Sequence, residues 1–422
     1  MPTRPLALAA LTAAFALALS GSAAAQLMNK TVDVDGVTRQ YLVYLPSGYD
    51  GTTDLPVMII YHGGDMTSAE MLGLVDMRPL ANADDVILTY PQGLPEQGGG
   101  PIWNSEGPFS NGVDDIGFTA AMIDDMDAQF AVDPTRVYAC GYSNGANMAW
   151  EVGCLLSDRI AAVGPVAGSL WQWTQDMCSQ TRPVPVLSIH GTQDFYNPYG
   201  GNAFSVGLIE ASEDYAANAN CDPAPTVVNV PNTVPGDGST ATHFTWSDGD
   251  QCVEVEHYRI NNGGHDWPGV FGNMDIDSTQ LIWEFCLQYS LNGKLDCCVV
   301  TPLGVGVGGA NIADLDASPP VLGTTLQFDF DGFTGAGSGF LVLSFATLPL
   351  NLLGGTIYPD VVGPFALLPV STGGGGAGSL GIPLGTDPVI VGVPTWVQVA
   401  MPDATQVKDW AFSNGLEFSV CE

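Results

Sequence analysis

At 422 residues the chain is long enough for more than one domain, and 45 acidic residues against 10 basic ones give a net charge of −35. A surface of that sign repels nucleic acid and anionic membranes, which excludes both as partners. With only 13% charged residues the chain is no disordered acidic segment, and its nine cysteines show neither a C-x-x-C pair nor a zinc-like His/Cys spacing.

The chain opens on an export signal. Arg4 supplies a short basic region, "PLALAALTAAFALALS" an apolar run too short for a comfortable membrane anchor, and "SAAAQ" a small-residue cleavage site after Ala25. Residues 1–25 are therefore expected to be removed, leaving a secreted protein, extracellular or at the cell surface, without a membrane span. In that setting the cysteines are expected in disulfides. Cys221 and Cys252 bracket a polar, Pro- and Gly-rich insertion and are paired here. Cys154 and Cys178 flank the run "RIAAVGPVAG" and form a second pair, and Cys297 or Cys298 closes onto Cys421.

From about Gln26 to Leu291, apolar strands alternate with helical stretches. "TVDVDGVTRQYLVYLP" is a hairpin turning at Asp35-Gly36. "LPVMIIYHGG" and "DVILTYPQG" are buried strands. "DDIGFTAAMIDDMDAQF" has helical spacing, with Asp114 and Asp115 read as its capping residues. The strand in "DPTRVYAC" leads to the helix "NGANMAWEVGCLL". "RIAAVGPVAG", "PVPVLSIHG" and "CVEVEHYRI" are further strands, and "DSTQLIWEFCLQY" is a closing helix capped by Asp277 or Ser278. The alternation predicts an α/β fold: a doubly wound, mostly parallel sheet over residues 26–295. From Val299 the helical period vanishes. Short alternating runs ("LQFDF", "FLVLSF", "WVQVAM", "LEFSV") sit among glycines and prolines, and "DWAFSNGLEFSV" reads as a hairpin turning at Asn414-Gly415. Residues 296–422 are thus expected to form a smaller all-β sandwich, without histidine, suited to binding a polymer or anchoring to a cell surface.

Between the strand "RVYAC" and the next helix lies Gly141-Tyr142-Ser143-Asn144-Gly145. A Gly-x-Ser-x-Gly alone is weak in a chain with 52 glycines, but here it has the strand–turn–helix context of a nucleophile elbow. The base is expected in the loop after the last strand, where "NNGGHDWPG" offers His265. The acid is expected after the strand "VLSIH", where "HGTQD" offers Asp194, with Asp266 the weaker candidate. The order Ser143, Asp194, His265 is that of α/β-hydrolases. The oxyanion hole is assigned to the backbone N–H of Asn144 and that of Gly64 or Asp65 in "HGGD", with His62 supporting the loop. Trp103, Trp171, Phe195, Tyr196 and Trp267 lie near these residues in sequence and are candidates for gripping substrate.

Seven blocks, "YHGG", "WN", "VDDIGF", "RVYACGYSNGANMAW", "AAVGPVAGSL", "SIHGTQDFYNPYGG" and "GGHDWPG", together resemble the secreted esterase family of polyhydroxybutyrate depolymerases and feruloyl or acetylxylan esterases, from about Asn29 to Leu291. The resemblance implies the same Ser143, Asp194, His265 triad. Depolymerases more often carry leucine before the serine, so Tyr142 tilts the likeness toward the feruloyl-esterase branch. The tail from about Thr301 resembles a β module at the ends of secreted bacterial proteins. The expected function is a serine carboxylic-ester hydrolase acting through an acyl-enzyme, without metal or organic cofactor, on feruloyl or acetyl esters of plant polysaccharide or on polyhydroxybutyrate-type polyesters. Two alternatives use the same residues: a catalytically silent relative serving as a secreted binding or adhesion protein, and an acyltransferase or peptidase.

Overall fold

A computed structural model describes residues 26–295 except 97 and 106–111, then residue 297 and residues 300–303, 314–317, 325–333, 337–344, 347–352, 355–359, 365–373, 376–384, 394–402 and 410–419. The expected signal segment, Cys298 and Cys421 lie outside the described residues. The chain enters through a hairpin, β1 (Gln26–Val34) and β2 (Val37–Leu45). Its two-residue turn is Asp35-Gly36, at φ 50° and 82°, the left-handed geometry that tight hairpins use.

Every residue of β3 (Leu55–Tyr61) and β4 (Ile87–Pro91) is buried. Both faces of such strands are covered, which is why they read as continuous apolar runs. Then come β5 (Val132–Tyr142), β6 (Ala162–Val166), β7 (Val186–Gly191), β8 (Thr226–Asn229), β9 (Thr240–Trp246) and β10 (Val255–Asn261). They assemble into one ten-stranded sheet in the order β1-β2-β4-β3-β5-β6-β7-β10-β9-β8. The strands from β4 through β10 run parallel, and β2 and β9 flank them antiparallel.

Two hydrophobic cores lie on opposite faces. Val57, Ile59 and Tyr61 of β3 join side chains of α3 (Asp115–Gln129), α4 (Asn144–Leu155) and α6 (Leu208–Asn218). Met58 and Ile60, one residue out of phase, join α1 (Ser68–Leu74), α2 (Arg78–Asp84) and α7 (Ser278–Cys286). Alternation along one strand thus feeds both layers. The C-terminal ends of β3, β5, β7 and β10 share one edge, so the loops that follow them meet there. Asp114 caps α3 by accepting the Gly117 N–H, and Asp277 caps α7 by accepting from Thr279 and Gln280.

One expected disulfide, Cys154–Cys178, is present and ties the end of α4 to the residue after α5 (Gln172–Met177). The pairing of Cys221 with Cys252 is corrected: Cys252 bonds Cys297, and Cys221 is a buried free thiol whose Sγ contacts the Val253 carbonyl at 3.5 Å. The same bond removes Cys297 as a partner for Cys421. Proximity in sequence misled here, because the chain folds back through Gly293, where a Cβ would lie 2.5 Å from the Gln251 carbonyl oxygen.

Beyond residue 299 the described strands are antiparallel. Val300–Leu303, Trp410–Ser419, Pro394–Pro402, Gly337–Ser344 and Phe365–Thr372 form a five-stranded sheet in that order, and Asp314–Ala317, Thr325–Asp331 and Gly378–Pro383 a three-stranded one. Phe328 and Phe330 of the smaller sheet share a core with Leu341, Val397, Val399 and Phe418 of the larger. The expected hairpin at Asn414-Gly415 is absent. Trp410–Ser419 is one strand, and the Asn414 side chain exchanges two hydrogen bonds with the Leu315 backbone of the other sheet.

Candidate active site

Ser143 stands alone between β5 and α4, at φ 56° and ψ −119°. A non-glycine residue there carries a strain of about 1–3 kcal/mol, which the surroundings must hold. Two glycines make the turn possible. A Cβ on Gly141 would lie 2.2 Å from the Gly145 carbonyl oxygen, and one on Gly145 would lie 2.4 Å from the carbonyl oxygens of Tyr61 and His62. The Ser143 N–H is tied to the Val166 carbonyl at 3.0 Å.

The loops after β7 and β10 bring the other two residues to this serine. Ser143 Oγ lies 2.8 Å from His265 Nε2, and His265 Nδ1 lies 2.7 Å from Asp194 Oδ2. An ionised carboxylate only accepts, so Nδ1 carries the proton and Nε2 accepts from the serine hydroxyl. The other Asp194 oxygen accepts the Tyr196 and Asn197 N–H groups, each at 2.9 Å. Burial opposes the charge on Asp194, but hydrogen bonds from His190, His265 and the Asn197 backbone outweigh it and hold the carboxyl below its usual range.

The two loops are also joined to each other. Thr192 N–H donates to Ile260 O and Gln193 N–H to Gly263 O, and a Cβ on Gly191 would meet the Gly264 carbonyl oxygen at 2.2 Å. Asp266, the weaker candidate for the acid, accepts the Gly264 N–H and props its own loop. Tyr142, known from sequence only as a departure from leucine, donates its hydroxyl to the His265 carbonyl at 2.8 Å.

On the opposite side of Ser143 lies the loop after β3. A Cβ on Gly64 would sit 3.7 Å from Asn144 Cβ, so the two backbones pass close together. Asn144 opens α4, where a backbone N–H has no intrahelical acceptor. Of the two choices for the second donor, Asp65 is ruled out, because its N–H donates to Pro101 O at 2.8 Å. Gly64 remains, and among the described residues its N–H has no partner. His62 is fully buried, with Nδ1 2.7 Å from Gly63 O and Nε2 accepting the Gly93 N–H at 2.9 Å. Burial pushes its imidazole down to about 4.

Asn144 also clamps the neighbouring loop. Its Oδ1 accepts the Trp103 N–H at 2.6 Å, and its Nδ2 donates to Trp103 O and Ser105 Oγ. Asp115 does more than the capping expected of it. It is buried, pairs with Arg39 at 2.5 Å and accepts the Asn104 N–H at 2.7 Å. That contact relates the block "WN" to the block "VDDIGF".

The aromatic candidates divide. Trp103 and Trp267 are fully buried, their indole N–H groups donating to His62 O and Thr279 Oγ1. They are core, and the substrate role expected of them is corrected. Trp171 is half-buried and bridges to Ser205. Phe195 and Tyr196 are 89% and 76% exposed, and the Tyr196 ring centroid lies 5.0 Å from that of His265. Among the described residues no group of three or more His, Cys, Asp or Glu is placed to hold a metal ion, and no helix is long and apolar enough to cross a membrane.

A sheet of this order, turning sharply at a serine after its fifth strand, is an α/β-hydrolase fold. Known proteins similar to the chain in sequence include esterases. Feruloyl esterase B of Piromyces equi is 30% identical over 266 residues, covering 60% of this chain and 46% of that protein. The bifunctional acetylxylan esterase/xylanase XynS20E of Neocallimastix patriciarum is 25% identical over 285 residues, 67% of this chain and 37% of that one. The chain thus spans under half the length of both. Feruloyl esterase C of Emericella nidulans is 24% identical over 267 residues, 61% of this chain and 87% of that one. A solved ferulic acid esterase from Anaeromyces mucronatus, in complex with ferulic acid, aligns at 15% identity over 62% of this chain and 90% of that one, with a TM-score of 0.39, too low to carry detail across. No family model matches the chain.

Proposed function

We propose that the chain is a secreted carboxylic-ester hydrolase that works through an acyl-enzyme on Ser143, with His265 as base, Asp194 as acid and the N–H groups of Asn144 and Gly64 as oxyanion donors. The observation that supports this reading most is the unbroken hydrogen-bond chain from Ser143 Oγ through His265 to Asp194 on a strained turn. In the first step Ser143 Oγ attacks the ester carbonyl carbon while His265 Nε2 takes its proton. The oxyanion forms between two backbones already held in place, so little reorganisation accompanies the charge. His265 returns the proton to the departing alcohol, and a water activated at the same nitrogen then releases the acid. Asp194 holds the tautomer and offsets the positive imidazolium.

The substrate class proposed is hydroxycinnamoyl or acetyl esters of plant polysaccharide. The named relatives are feruloyl and acetylxylan esterases, and the exposed rings of Phe195 and Tyr196 beside His265 offer faces for an aryl acid or a sugar. The two disulfides suit an oxidising, extracellular setting. For the antiparallel sheets beyond residue 299 we propose a binding or anchoring role in a domain of their own.

Initial rates on methyl ferulate, an aryl acetate and a 3-hydroxybutyrate oligomer test this, with Ser143→Ala alongside. The wild type is expected to cleave methyl ferulate faster than the oligomer, and Ser143→Ala to lower kcat by about 10⁶. A faster rate on the oligomer moves the substrate to polyesters. Wild type and variant equally inert on all three favours the binding-protein alternative.

A further inference from the structure

His190 is the second-last residue of β7 and is 1% exposed. Its Nε2 lies 2.8 Å from the Asn197 carbonyl and 3.3 Å from Asp194 Oδ2, the oxygen that His265 also contacts. A carbonyl oxygen only accepts, so Nε2 carries a proton. Nδ1 is buried and has no partner among the described residues, so a second proton there would be a buried donor with nothing to bond. His190 therefore donates from Nε2, and that N–H is shared between the acid and the far end of the acid's own loop.

We propose that His190 is a positioning residue for Asp194. Its N–H closes residues 190–197 into a ring and occupies one side of Oδ2, so that the carboxylate presents a single direction to His265. This rests on the hydrolase reading above. The Tyr196 and Asn197 N–H groups fix Oδ1, and Asn197 Nδ2 anchors the loop to Ala167 O at 2.9 Å. With Oδ1 fixed by backbone, His190 is, among the described residues, the remaining constraint on Oδ2 besides His265 itself. Its donor also draws charge from that oxygen, weakening its pull on a protonated His265. The other titratable or charged groups facing this cluster are Tyr142 at the end of β5, Tyr196 and Asp266 on the loops, Tyr199 after the acid loop, and His257 and Arg259 on β10.

The test compares His190→Leu, which removes the donor, with His190→Gln, whose amide reaches the Nε2 position. The substrate is whichever test ester the wild type cleaves fastest. The Leu variant is expected to lose about tenfold in kcat with KM nearly unchanged. The acid limb of its kcat/KM profile is expected to move to higher pH, and the Gln variant to recover most of both. If the Leu variant does not fold, His190→Asn, whose side chain ends short of Asn197 O, replaces it. Leu and Gln variants that behave alike, or a loss of kcat with the acid limb unmoved, overturn the proposal. Ser143→Ala measured in the same series separates the two readings. If it hydrolyses at the wild-type rate, the hydrolase reading falls; if it is inert while His190→Leu matches the wild type, only the role of His190 falls.

Discussion

Two strand ends in this sheet carry the same dipeptide and put it to different use. At the end of β3, His62-Gly63 leads to the backbone over Asn144; at the end of β7, His190-Gly191 leads to Asp194. Both histidines are buried and both tie a loop to a carbonyl. Their tautomers, assigned from partners, are opposite. His62 donates from Nδ1 to the Gly63 carbonyl and accepts at Nε2, pinning the loop that carries Gly64. His190 donates from Nε2, toward a carboxylate. In the proposed reaction one loop supplies the donors for the charge that forms on the substrate, and the other supplies the standing charge of Asp194. A buried histidine can lock either kind, and its second ring nitrogen decides which.

The comparison breaks most sharply at Asp194. Asp194→Asn removes the standing charge and leaves the β3 loop untouched, and is expected to lower kcat by about four orders of magnitude with little change in KM. Steady-state kinetics on the same aryl ester checks it, and a loss shared equally between kcat and KM contradicts it. A smaller effect sharpens the other side. The folded chain holds His62 neutral down to about 4, against an ordinary value of 6.5. Above pH 6.5 both folded and unfolded forms leave it unprotonated, and stability from this source is complete. As pH falls from 6.5 to about 4 only the unfolded chain takes up the proton, so stability drops by about 3 kcal/mol. His257, pushed down to about 3 by burial, adds to the same acid slope. His62→Gln should flatten the fall in Tm across that window while His257 preserves the rest. An unchanged slope would remove His62 from the account.

The sequence shows the parts of the site that follow from chain order. Ser143, Asp194 and His265 fall after the ends of three parallel strands, β5, β7 and β10, and the glycines around them mark where backbones touch. Partners that arise only in three dimensions are hidden. The hydrogen bonds of His190 to Asn197, Tyr142 to His265 O and Asp115 to Asn104 join side chains to backbone groups with no spacing of their own. Trp103 and Trp267 misled for a related reason. An indole beside a site in sequence reads as a surface for stacking, yet its N–H can be satisfied inside the core, as both are. Asn414-Gly415 has the turn residues of a hairpin, but a cross-sheet bond from Asn414 holds it in a continuous strand.

The measurement that bears most directly on the central claim is the mass of the Ser143 peptide after reaction with an aryl ester whose acyl group leaves slowly, quenched in acid. The account predicts one acyl group on that peptide, absent in Ser143→Ala and accumulating at the rate of the first burst of product. Ester turnover with no acyl group on Ser143, or with acyl transfer undiminished in Ser143→Ala, would contradict it.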